Sequence, residues 1–168
     1  TMENQRNEFL YYKKAANQGS ARGELMVGLY FMDGVGVDQD EEQGIYYIQK
    51  SANQGFASAQ YMMGLYCNAG IVPDKNGELA YQYLLAAAEQ GQAGAQVQLG
   101  LDFIMEGKKD LDQGLFWLTC AYMHGESAQE DSNKAMDILN ELINSGMPGG
   151  RSRIDELMDM ISENYMEY

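Results

Sequence analysis

His124 is the only histidine in the 168 residues, so no histidine pair is available to hold a metal or to activate a nucleophile. It falls in the last turn of an apolar helical segment, where a cation suits the helix dipole, and a structural role is expected. Asp33, Asp38, Asp40, Glu41 and Glu42 cluster around glycines with the acidity of a calcium loop. They lack the Asp-x-Asp-x-Asp-Gly alternation and a glutamate at the twelfth position. The better reading is a solvated turn whose acids open the next helix, where negative charge is favoured. Gly34-Val-Gly36 has neither a third glycine nor a preceding strand, so it is no dinucleotide fingerprint. Cys67 and Cys120 form no metal or redox spacing and sit in apolar helical segments, where free cysteine behaves as a small hydrophobe. Carboxylates are plentiful, but none lies in a context that would raise its pKa for acid catalysis. No catalytic constellation emerges, and no enzyme activity, cofactor or metal is expected.

Composition narrows the partner instead. With 25 acidic against 11 basic side chains the net charge is −14, which speaks against nucleic acid and anionic membranes, since both are bound by clustered Lys and Arg. Acidity of this kind suits either a basic protein partner or solubility alone. An apolar fraction of 45% with only 2 Pro argues against disorder and against a Pro-rich linker. No run of about 18 apolar residues occurs, so no membrane span is expected. Residues 1–8 are polar and unlike a signal peptide, and Met2 is the expected native start. The cytoplasm is the expected compartment, or the periplasm if a leader was removed.

The elements that position these residues follow a repeat. Lys14-Ala-Ala-Asn-Gln-Gly19 returns as Lys50-Ser-Ala-Asn-Gln-Gly55, as Ala86-Ala-Ala-Glu-Gln-Gly91 and, loosely, as Cys120-Ala-Tyr-Met-His-Gly125, with the glycines 36, 36 and 34 residues apart. Val27-Gly-Leu-Tyr30, Met63-Gly-Leu-Tyr66 and Leu99-Gly-Leu-Asp102 keep the same period, as do Tyr11, Tyr47, Tyr83 and Trp117. Three marks in phase establish internal repetition. Each unit reads as two helices. The boundary glycine ends one helix in a left-handed conformation, and Ser20 or Phe56 opens the next. In the first unit Ala21, Leu25, Gly28, Leu29 and Met32 make one apolar helical face. Glycine inside a helix costs about 1 kcal/mol relative to Ala. The return of glycine at 28, 64 and 100 therefore demands a packing reason, which close approach of the paired helix supplies. Turns at 34–38, 70–74 and 107–110 lead into second helices at 41–51, 77–88 and 110–123. Their small residues Gly44, Ala80 and Gly114 share a face with the aromatic position. A further helix is expected over 130–144, a break at Gly146-Met-Pro-Gly-Gly150, and a last acidic helix from Ile154 to about Tyr165 burying Ile154, Leu157, Met158 and Ile161.

The run Ala21…Val27-Gly28-Leu-Tyr30…Gly34-Val-Gly36-Val…Asp38…Tyr46-Tyr47…Ala52…Gly55 resembles a Sel-one-like repeat, a relative of the tetratricopeptide repeats, over roughly residues 9–125. Unit three departs from the pattern: it lacks the Gly-Val turn and has Asp102 in place of the tyrosine. The resemblance implies an all-α fold, a right-handed superhelical solenoid of antiparallel helix pairs with 36-residue repeats. It places a half repeat at 3–19, repeats at 20–55, 56–91 and 92–125, and capping helices at 126–168 of a single domain. Secreted relatives carry disulfides in each helix pair; two cysteines cannot do that, which favours a reducing compartment.

By the same resemblance a concave groove lined by the first helices binds a protein or peptide partner. Met26, Met32, Met62, Met63 and Met105 all fall on first helices, and Met is adaptable at binding surfaces. Arg22, Met26, Leu29 and Met32 would face the groove in unit one. Ser58, Tyr61, Met62, Leu65 and Asn68 would continue it in unit two, and Gly94, Gln98, Leu101 and Met105 in unit three. The competing reading is that these side chains fill gaps between helices. The expected function is that of an adaptor or scaffold. The alternative is a bacterial immunity protein that neutralises a cognate, basic toxin.

Overall fold

The structure, a computed structural model, describes residues 1–105 and 109–164. It is all-α among these residues, in the order α1 (Met2–Asn17), α2 (Ala21–Asp33), α3 (Glu41–Asn53), α4 (Ala57–Asn68), α5 (Glu78–Glu89), α6 (Ala93–Met105), α7 (Leu111–Met123), α8 (Gln129–Asn144) and α9 (Gly150–Asn164). The chain divides into two units, Thr1–Ala87 and Ala88–Tyr168.

Local chemistry starts and stops these helices. Short polar side chains cap the N-termini: Ser20 Oγ accepts from Gly23 N at 3.0 Å, Asp40 Oδ1 from Gln43 N at 3.0 Å, and Asp110 Oδ1 from Gln113 N at 3.1 Å. Phe56 has no oxygen to offer and makes no such bond. The boundary glycines have φ of +88° at Gly19, +88° at Gly55, +87° at Gly91 and +53° at Gly125, the left-handed stop that the repeat pattern requires. No atom lies within 4 Å of a Cβ built on Gly55, so an alanine there meets only backbone strain. Gly55→Ala is expected to cost about 1 kcal/mol in urea-induced unfolding. A neutral result would mean the turn relaxes to another conformation.

In the first unit α2 and α3 run antiparallel. Ser51 Oγ, at the end of α3, donates to Ala21 O, at the start of α2, at 2.6 Å, and the far end of α2 places Met32 over Gly44. Midway, a Cβ on Gly28 would lie 2.5 Å from Ile48 Cγ1 and 2.8 Å from Gly44 O. The close approach inferred from the recurring glycine is therefore present. At Gly64 the neighbour is Leu84, and at Gly100, in the second unit, it is Leu118.

Helix α2 buries more than the one face its periodicity shows. Leu25, Leu29 and Met32 pack with Ile48, Ala52, Ala59 and Met63. Val27, fully buried, packs the other way with Phe9 and Ala16 of α1, beside Tyr30 and Phe31. A helix in the middle of a stack has a neighbour on each side, which blurs a single apolar stripe. Ile48, Met63 and Leu84 are wholly buried, each contributing about 1.5–3 kcal/mol.

In the second unit α6 and α7 repeat the antiparallel contact through Gly100, Gly114, Ile104 and Leu118. Leu115, Leu118 and Ala121 of α7 then pack with Ala135 and Leu139 of α8 and Ile154 of α9. Helix α9 begins at Gly150, one turn before the expected Ile154, because the break is confined to the preceding turn, where Gly146 and Gly149 take φ of +91° and +86°. It buries Ile154 and Ile161, with Leu157 and Met158 half-buried. Half of the expected third turn, at 107 and 108, and Tyr165 lie outside the described residues.

Candidate interaction surface

The candidate contact residues occupy equivalent positions on first helices, and the two units present them differently. On α2 of the first unit Arg22 is exposed and Met26 half-buried, while Leu29 and Met32 are half-buried against the core. Met32 reaches into the space that Gly44 leaves by having no side chain. On α4 Ser58 and Asn68 are exposed, and Tyr61, Met62 and Leu65 are half-buried, Met62 against the same core. Met63 is not at the surface at all but fully buried, since it falls on the face of α4 that packs with Ile48 and Ala52. In the second unit Gly94 is buried, Leu101 packs against the core, and Gln98 Nε2 donates to Asp102 Oδ1 at 3.2 Å. Asp102 therefore answers a polar neighbour one turn earlier where the other units have tyrosine. Met105 is open, at 69% exposure. Nine of the candidates thus lie on two helices of the first unit, and Gly94, Gln98, Leu101 and Met105 on one helix of the second.

A polar position escaped the sequence reading. Five residues after each of the first three boundary glycines stand Glu24, Gln60 and Gln96, and immediately before the next boundary glycine stand Gln54, Gln90 and His124. Glu24 is 1% exposed; Gln54 Nε2 donates to its Oε2 at 2.8 Å, and Lys50 Nζ lies 3.5 Å from Oε1. Gln96 is likewise buried: its amide nitrogen donates to Ala88 O at 3.1 Å, leaving Oε1 to accept from His124 Nε2 at 3.1 Å. His124 therefore bonds through Nε2, tying the end of α7 to the start of α6. The signal was available as a fourth recurrence, in phase with the other three.

None of these groups assembles chemistry. Burial pushes the Cys120 thiol up to about 12, and burial followed by the charge of Asp74 raises that of Cys67. Neither is therefore a thiolate at neutral pH. Asp40 is a helix cap, and Glu41 and Glu42 lie exposed in the first turn of α3. Among the described residues no group of three or more His, Cys, Asp or Glu could hold a metal ion, and no helix is long and apolar enough to cross a membrane.

The family model described as Sel1 repeat matches residues 9–20, 21–56, 57–92 and 93–126. Among solved structures, the chain resembles a protective antigen present in uropathogenic Escherichia coli strains, which displays an SLR fold. The TM-score is 0.74 at 22% identity, over 95% of this chain and 34% of that one. It also resembles a Sel1 repeat protein from Oxalobacter formigenes, with a TM-score of 0.69 at 25% identity, over 91% of this chain and 49% of that one. The chain thus spans about a third and about half the length of these two proteins. No curated protein matches it. Repeat matches in register with paired antiparallel helices, their glycine contacts and the left-handed stops place the chain in the Sel1 repeat family, as an all-α helical solenoid.

Proposed function

We propose that the chain is an adaptor or scaffold that holds a segment of a partner protein against its first helices, with the α2–α4 surface of the first unit as the principal contact. Sel1 repeat proteins are in general protein-interaction modules, and this reading specifies the surface. The observation that carries it is the pairing of Met26 with Met62, 36 residues apart, each half-exposed and each flanked by open polar positions at Arg22, Ser58 and Asn68. Thioether side chains adapt to varied apolar anchors, and an acidic molecule favours partners that carry Lys or Arg beside those anchors. The net charge of −14 supports a second, narrower reading, a dedicated inhibitor of one basic protein such as a toxin. Neither reading involves catalysis, a cofactor or nucleic acid, and the cytoplasm is the compartment proposed.

Affinity capture from the source cell, comparing wild type with Met26→Glu/Met62→Glu of equal helicity, tests both. Several partners lost together from the double variant are the adaptor's expected result. A single basic partner, bound in equal amount and released by the variant, is the inhibitor's. Partners retained in full by the variant would remove the α2–α4 surface from consideration.

A further inference from the structure

The position nine residues before a boundary glycine is held by Leu10, Tyr46, Gln82 and Phe116, large and apolar in three of the four. On α1 and α3 this large apolar side chain stands open, at 52% exposure for Leu10 and 54% for Tyr46. On α7 Phe116 is half-buried, because α9, which lies beyond the last matched repeat, contributes Leu157 and Met160 alongside it. The result is a cleft of about 660 Å³ within the second unit, between the N-terminal half of α7 and the middle of α9. Phe116, Leu157 and Met160 form its apolar part, and Met160 remains 41% exposed. Asp110, Asp112 and Glu156 line it as well. Among the described residues of the lining the one cation is Arg153, and it is already engaged: it pairs with Asp112, and its Nη1 donates to Pro148 O at 3.3 Å. Along α9, Asp159 and Glu163 add exposed negative charge.

We infer that this α7–α9 cleft is a second docking surface, which takes a cationic amphipathic helix from another protein. A large aliphatic or aromatic side chain of that helix enters over Phe116, Leu157 and Met160, and Lys or Arg one turn away meets Glu156 and Asp110. Charge complementarity selects the occupant: among its described residues the lining holds three exposed carboxylates, of which Asp112 is paired with Arg153, so Asp110 and Glu156 are left for a cation of the docked helix to meet. The surface needs α9 as well as α7 of the last repeat. It is separate from α2 and α4, so it stands or falls independently of the function proposed above.

The probe is a fluorescein-labelled amphipathic peptide of about 14 residues, long enough for helix formation on a surface, with Lys flanking a Leu-Leu-Trp stripe. Its binding is followed by anisotropy. The cleft variant is Glu156→Lys/Met160→Ser; the control is Glu42→Lys/Tyr46→Ser, which makes the same charge change on the outer face of α3. About a tenfold loss of affinity in the cleft variant, with the control within about twofold of wild type, is the expected result. Equal loss in both variants would show diffuse attraction to an acidic protein and overturn the proposal. So would an absence of binding to wild type. Loss confined to Met26→Glu/Met62→Glu would also overturn it, assigning the peptide to the first helices.

Discussion

Gly28→Ala is expected to destabilise the protein by about 2 kcal/mol, although alanine is the better helix former by about 1 kcal/mol. The new methyl carbon would lie 2.5 Å from Ile48 Cγ1, 2.8 Å from Gly44 O and 3.0 Å from Ile48 N. Two of these atoms are backbone, so relief requires α2 and α3 to separate, which loosens the contacts made by Ile48 and Met32. The equivalent substitutions grade the argument. At Gly100 the clash is with Leu118 Cγ at 2.6 Å, and one backbone atom, Gly114 O, is 3.1 Å away. At Gly64 the close atoms, both 2.7 Å away, belong to the side chain of Leu84, and the nearest backbone atom is Ala80 O at 3.6 Å. The cost should therefore fall in the order Gly28, Gly100, Gly64, with Gly64→Ala close to neutral. Equilibrium urea unfolding with far-UV detection gives all three values. Equal costs, or a stabilised Gly28→Ala, would mean that the recurring glycine is not there to bring helices together.

Gln54→Leu is expected to cost about 2 kcal/mol, the range for losing a hydrogen bond to a charged group. Glu24 is buried, and Gln54 donates a hydrogen bond to its carboxylate at 2.8 Å, while Lys50, half exposed, adds an ion pair at 3.5 Å that solvent weakens. Removing the amide leaves a buried carboxylate short of donors. Glu24→Gln, by contrast, should lie within about 1 kcal/mol of wild type, since the second unit places Gln96 at the equivalent position, bonded to His124. The decisive quantity is the coupling. In a Glu24→Gln background the cost of Gln54→Leu should fall to about 1 kcal/mol, the value for a neutral bond. A double-mutant cycle in urea measures it, and an unchanged cost would assign the role of Gln54 to its bond with Gly19 O, at 3.1 Å, rather than to Glu24.

The amino-acid sequence by itself determined the helices and their order, because each signal for them is local. Glycine at 19, 55 and 91, each after an Asn-Gln or Glu-Gln pair, stops a helix locally, since a residue without Cβ takes a φ near +88° at no steric cost. Ser20, Asp40 and Asp110 must cap, because their oxygens reach the amide three residues on. Even the pairing of α2 with α3 was legible, through a glycine that helix propensity alone would disfavour. What only the tertiary structure decided is which face of each helix meets which neighbour. Periodicity marks a residue as apolar without saying whether a second helix covers it. Val27 and Met63 thus proved to be core, Met62 remained half-open, and Glu24 and Gln96 lay buried although both are polar. The α7–α9 cleft had no linear signature at all. It arises where Asp110 and Phe116 come to lie beside Glu156 and Met160, and that juxtaposition is set by how α9 packs on α7.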